Sequence, residues 1–188
     1  MHNGDPPLRP MLAPADAQAG AASGAATSGA EESQRRTTAS REFSTKLGEI
    51  VGLLMRSRSH RFTMLAELEW MVLPALATRQ LRVVEGTSQE TGLVAPIAVV
   101  MWASVSAAID QRLHQAIDQP IKLKPEEWRS GDVVWIIEAV GEQRAVTATL
   151  QHLKQNELKD RTVHLRVKGK DGQPAVGRLE LESGPAGG

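Results

Sequence analysis

The chain has 188 residues, a length that favours one domain with tails. Lys and Arg number 22 and Asp and Glu 22, so the net charge is zero and a broadly basic surface for bulk nucleic-acid binding is not indicated. Cysteine is absent, which excludes disulfides, thiolate metal sites, a catalytic cysteine and an enzyme-bound thioester, while a hydrophobic share of 41% still permits a packed core.

Residues 1–41 are rich in Ala, Gly, Ser, Thr and Pro and read as a disordered low-complexity tail, because such a segment buries too little surface to offset chain entropy. The first ten residues carry no apolar signal region. The domain is expected over residues 42–182, with 183–188 a flexible end. Phe43, Leu47, Ile50, Val51 and Leu54 fall on one helical stripe. A polar break follows at Arg56-Ser-Arg-Ser-His-Arg61. A second stripe, Met64, Leu65, Leu68, Met71 and Val72, stops before Pro74. Residues 81–85 read as a short strand, 86–92 as a turn and 95–103 as a buried strand. The apolar run at 95–109 is shorter than the roughly 20 residues of a membrane-spanning helix and holds Pro96, so no transmembrane segment is expected.

Ser104 or Ser106 can cap the next helix, whose apolar face is Val105, Ala108, Ile109, Leu113, Ala116 and Ile117. Residues 128–131 read as a turn and 132–138 as a second buried strand. Val146, Leu150 and Leu153 mark a helix, and residues 161–167 and 175–181 two final strands joined by a Gly-containing hairpin turn. This order predicts an α/β (α+β) fold in which helices pack on a mixed sheet. The five histidines show no mutual metal-ligand spacing, and neither a G-x-S-x-G elbow nor a Walker loop is present.

Three segments carry more. The first holds Leu47-Gly48, Ser57-Arg-Ser-His60-Arg61, Leu73-Pro74-Ala75 and Gln80. The second is Met101-Trp102-Ala103-Ser104. The third is Trp128-Arg-Ser-Gly131-Asp132-Val-Val-Trp135-Ile-Ile-Glu138. In this order and spacing they resemble the toxin-activating lysine acyltransferases of RTX toxin systems, over roughly residues 45–180. The resemblance implies a GNAT-like fold, a fatty acyl donor on acyl carrier protein, internal lysines of a protoxin as acceptors and a homodimer; the cytoplasmic location expected here comes instead from the want of a signal region and a spanning segment. It places the key histidine on His60, a nearby serine on Ser57 and the key carboxylate on Glu138. The family has aspartate at that last position, one methylene shorter. The segment 139–145 also lacks the family's usual proline-phenylalanine-glycine.

The residues support that chemistry on their own terms. A lysine amine, with a reference pKa of about 10.4, must lose a proton before it attacks a thioester, and imidazole, titrating near about 6.5, is suited to take it. His60 lies in a polar break where a side chain can face a cleft; the alternative is an exposed loop histidine. Strand alternation sets Glu138 on one face with Val134 and Ile136, opposite Val133, Trp135 and Ile137. From there it can orient the imidazole, hold its charged form or receive the lysine ammonium; otherwise it is a solvated strand end. Ser57 can bond His60 or the thioester oxygen, or simply close a turn. Arg56, Arg58 and Arg61 are candidates for docking an acidic acyl carrier protein, or are ordinary surface charge. The tryptophans Trp70, Trp102, Trp128 and Trp135 and the turn residue Asp132 read as structural. No permanently bound cofactor and no metal are expected. Two rivals remain. One is a coenzyme A-dependent GNAT-like enzyme, for which Gln89-Glu-Thr-Gly92 is an incomplete pyrophosphate loop. The other is a degenerate homologue acting as a binding module.

Overall fold

Five strands form one mixed sheet in the order β1-β2-β3-β4-β5: β1 (Leu81–Thr87), β2 (Val94–Val105), β3 (Val133–Gly141), β4 (Val163–Lys168) and β5 (Pro174–Arg178). Neighbours are antiparallel except β3 and β4, which run parallel. The helices are α1 (Ala19–Arg56), α2 (Leu68–Met71), α3 (Leu73–Thr78), α4 (Ala107–Gln115) and α5 (Gln143–Gln155). This computed structural model describes residues 19–89 and 91–180, with side-chain surroundings from residue 31 onward. The first part of the expected tail and the expected end at 183–188 lie outside the described residues.

The backbone divides into two units, Met1–Glu42 and Phe43–Gly188. In the first, the residues from Ala19 onward, which composition reads as tail, are helical, in keeping with their alanine content. The side chains of residues 31–42 are exposed. In the second, the alternation of β2 divides the core. Val99, Met101, Ala103 and Val105 join a cluster with Ile50, Leu53 and Leu54 of α1. Ala98, Val100 and Trp102 face Val146 and Leu153 of α5 on the other side. A strand buried on both faces needs a nearly unbroken apolar run, and residues 97–103 supply one.

Two local rules set the element ends. Ser106 caps α4, its Oγ accepting from Ile109 N–H at 3.4 Å. Pro74, expected to close the second helical stripe, instead occupies the first turn of α3. A missing N–H is harmless there, so the proline begins a helix rather than ending one. A 3-10 turn (Leu65–Glu67), α2 and α3 then follow one another where a single helix was expected.

Strand alternation fails at one point of β3, and with it the expected face of Glu138. Trp102 pairs with Ile136 but Met101 pairs with Glu138, so Ile137 is an extra residue opposite no partner. This β-bulge resets the alternation. Glu138 lies across from Met101, on the α1 side of the sheet, not with Val134 and Ile136 on the α5 side. The strand ends at Gly141, where φ is +123° and a Cβ would stand 2.1 Å from the carbonyl oxygen of Ile97. Gly141→Ala should therefore destabilise the protein by about 2–4 kcal/mol, combining backbone strain with overpacking. Gly48→Ala, at an exposed helical site with nothing within 4 Å of the new carbon, should stabilise it by about 0.5–1 kcal/mol. Denaturant unfolding of the two variants checks this, and equal effects would contradict it.

Candidate active site

The polar break after α1 folds as a tight turn because its backbone groups find partners locally. Ser57 O accepts from His60 N–H at 3.2 Å and Arg61 N–H at 2.9 Å, and His60 O accepts from Thr63 N–H at 2.8 Å. The turn aims the His60 ring at the bulged part of β3. His60 Nε2 lies 3.2 Å from Glu138 Oε2, with the two side chains 18% and 30% exposed. The other carboxylate oxygen, Oε1, accepts from Ala139 N–H at 3.1 Å, which fixes the plane of the group. On the opposite edge of the ring, Nδ1 lies 3.0 Å from both the Ser57 and the Ser59 hydroxyl.

This arrangement assigns the tautomer. A carboxylate can only accept, so Nε2 carries the proton that faces Glu138. In the neutral ring the lone pair is then on Nδ1, facing the serine hydroxyls. The hydrogen bond to Glu138 raises the His60 pKa above its ordinary 6.5, against the opposing effect of burial and with help from the carboxylate charge. The imidazolium is stabilised at the moment it has taken a proton, which is what a base acting on an ammonium group needs.

The three residues expected to carry chemistry, His60, Glu138 and Ser57, are thus brought together. Ser59 is a fourth that the sequence reading did not single out. Its only signal was its place beside the histidine, with Ser57 one turn position earlier. The arginines divide. Arg56 and Arg58 are exposed and line a groove of about 630 Å³ with Ser57, Ser59, Pro96 and Glu142. Arg56 is also tied down, donating to Pro96 O at 2.7 Å. Arg61 stacks over the Phe62 ring at 4.7 Å and does not line the groove.

A second opening lies on the other side of the pair. The parallel strands β3 and β4 are in register only at Val134 with Val163 and Trp135 with His164. Beyond those positions lies a cleft of about 330 Å³, walled by Ile136, Ile137, Leu150 and Leu165 and reached by Glu138. Glu138 faces the cleft and Ser57 and Ser59 face the groove, so His60 bonds towards both.

Of the four tryptophans read as structural, Trp102, Trp128 and Trp135 lie in the core, but Trp70 is half-buried and lines the cleft between β3 and β4. Trp128 and Trp135 are fully buried and Trp102 is 6% exposed. Ser104 O accepts from Ser130 and Gly131 N–H, and Asp132 O accepts from the Arg161 guanidinium. A Cβ on Gly131 would stand 2.6 Å from Ser106 Cα, so glycine is required for this turn to close on β2.

The raised pKa fixes the direction of a stability effect. The His60–Glu138 pair contributes fully below the unfolded value of 6.5, and its contribution is lost as pH rises through the higher folded pKa. Imidazole NMR should show His60 titrating above 6.5 in the native protein and lower in Glu138→Gln. The melting difference between the two proteins should shrink as pH rises from about 6 to about 9. An unmoved His60 titration in the variant would contradict the pairing.

Comparison with known proteins agrees with this geometry. Residues 39–178, which include His60, Ser57, Glu138 and the whole sheet, match the RTX toxin acyltransferase family. A similar curated protein is the leukotoxin-activating lysine-acyltransferase LktC of Pasteurella haemolytica-like sp. (strain 5943B), 34% identical over 94 residues, which are 50% of this chain and 52% of that one. The chain thus matches about half the length of that relative. With the family match extending through nearly all of the described fold, this chain belongs to the RTX toxin acyltransferase family.

Proposed function

We propose that the chain transfers a fatty acyl group from acyl carrier protein to internal lysine side chains of an RTX-type protoxin and so activates it. The observation that carries this reading is the half-buried His60–Glu138 pair set between two openings, as a two-substrate transfer requires. The groove lined by Arg56 and Arg58 suits an acidic carrier protein. The apolar walls of the cleft between β3 and β4 suit the acyl chain. The thioester then lies beside His60.

In the step itself, a substrate lysine gives a proton to His60 Nδ1, directly or through the Ser57 hydroxyl. The amine forms its bond to the thioester carbon and the carbon–sulfur bond breaks. The proton passes from His60 to the departing thiolate and the second ammonium proton leaves the nitrogen for solvent, giving an amide and a free thiol. Glu138 holds the ring and stabilises the imidazolium between the two proton transfers. Glutamate in place of the family's aspartate still reaches the ring, at 3.2 Å, from the bulged strand.

A coenzyme A donor is less well supported. Its loop needs amides at a helix N-terminus. The segment around Gln89 and Gly92 instead connects β1 to β2, with Gly92 N–H bonded to Ser88 O at 2.8 Å. We place the reaction in the cytoplasm, where the carrier protein is acylated. Among the described residues no helix is long and apolar enough to cross a membrane. A homodimer belongs to the same reading, since β1 and β5 are sheet edges that a second copy can cover.

The test is acylation of a partner toxin, read by intact mass. His60→Ala should lower the rate by about 10²–10⁴ while the fold persists by circular dichroism. Ser57→Ala should lose no more than about tenfold if the hydroxyl only relays or orients. A loss in Ser57→Ala equal to that in His60→Ala, with an acyl adduct trapped on Ser57, would replace direct transfer by a two-step route. A wild-type rate in His60→Ala would remove the site assignment.

A further inference from the structure

Two residues before the bulge, β3 takes part in a second polar cluster that the acyl-transfer site does not use. Asp110 and His114 stand one helical turn apart on α4, which puts them on one face. His164 comes from β4, opposite Trp135 at the last paired position before the cleft. One donor atom from each of the three side chains lies within 4.8 Å of the other two. His114 Nδ1 is 3.3 Å and His164 Nε2 is 3.9 Å from Asp110 Oδ1. The two imidazoles meet edge to face, with centroids 4.9 Å apart.

His164 is the informative member. Its side chain is only 16% exposed. Its Nδ1 is buried without a partner. Its Nε2 approaches Asp110 no closer than 3.9 Å, beyond hydrogen-bond reach. Among the described residues Nδ1 is therefore a buried polar atom without a partner, which is uncommon, and Nε2 makes no hydrogen bond to protein. The other two members are already oriented. Trp135 Nε1 donates to Asp110 Oδ1 at 2.7 Å. His114 Nδ1 lies 2.9 Å from the Asp110 carbonyl oxygen, which can only accept, so the neutral ring keeps its lone pair on Nε2. Outer hydrogen bonds of this kind hold metal ligands in place and fix their tautomers.

The geometry points to a binding site for a divalent transition metal of the Zn²⁺ type, held by Asp110, His114 and His164. Two imidazoles and a carboxylate suit borderline ions, whereas Ca²⁺ and Mg²⁺ take oxygen ligands. Bonds of about 2.0–2.1 Å set the donor atoms of a tetrahedral site about 3.3 Å apart, so donors that now lie within 4.8 Å of one another would draw together on binding. Side chains of His114 and Asp110 that are 39% and 24% exposed leave the ion a path from solvent. Such an ion would tie α4 to β4 at the fork where β3 and β4 part. It has no part in the acyl-transfer step, and its binding stands or falls apart from that reading.

The experiment is calorimetric titration of ZnCl₂ into full-length, tag-free protein stripped with a chelator, with a thermal melt at each point. One equivalent should bind with a Kd of about 10 µM or tighter and raise the melting temperature. His164→Ala, His114→Ala and Asp110→Asn should each weaken binding at least about tenfold and abolish the rise. His152→Ala, at an exposed position of α5, should change neither. Circular dichroism reports folding. Should the buried His164→Ala not fold, the more exposed His114→Ala and Asp110→Asn decide the matter. No saturable binding up to about 100 µM, or equal binding in all the variants, would overturn the site.

Discussion

An imidazole that is to serve as a base must have one nitrogen held so that the other is presented. Here the holding group is a carboxylate on the central strand, and it reaches the ring only because β3 carries one residue too many. Without the bulge at Ile137, alternation would send Glu138 to the α5 face, and His60 would lie alone in its turn. The same short stretch of β3 borders the cleft towards β4. One irregularity therefore accounts for the proton-handling pair and its position beside the apolar opening. Bulges are found where a strand must redirect a side chain, and this one does so at the residue whose hydrogen bond raises the His60 pKa.

The segment that makes the sequence recognisable has mainly an architectural role. In Trp128-Arg-Ser-Gly131-Asp132, the tryptophan is buried, the serine and glycine amides bond to β2, and glycine is needed for the close approach. The Ser130 hydroxyl accepts from Ser106 N–H at 2.9 Å and so ties this turn to the start of α4. The block sets the start of β3 against β2, and five residues beyond its buried Trp128 the strand begins that carries Glu138. The chemistry is carried by residues in plainer surroundings, a polar turn and a strand end, whose composition alone would pass for surface.

Much of this was legible before any coordinates. Unbroken apolar runs near Val99 and Trp135 marked buried strands, and a polar stretch rich in Ser and Arg marked the break that holds His60. The motifs brought Ser57, His60 and Glu138 forward together. What escaped has physical causes. A bulge leaves no trace in a run of Val and Ile, since either register is apolar. Pro74 stops a helix or starts one depending on whether the preceding turn is already open, and that is decided by packing of Met71 and Val72 in the core. His164 meets Asp110 and His114 only through the crossover from β3 by α5 to β4, so scanning for histidine spacing along the chain could not find the cluster.

The central claim is that His60 and Glu138 act as one unit. A double-mutant cycle on toxin acylation tests it most directly, comparing His60→Ala, Glu138→Gln and the double variant in rate and in fold. If the carboxylate works only through the ring it holds, the double variant is no slower than His60→Ala alone, a coupling that accounts for the whole effect of Glu138→Gln. If the two losses instead multiply, Glu138 acts on substrate independently of His60, and the account of the bulge as the device that completes the base is wrong.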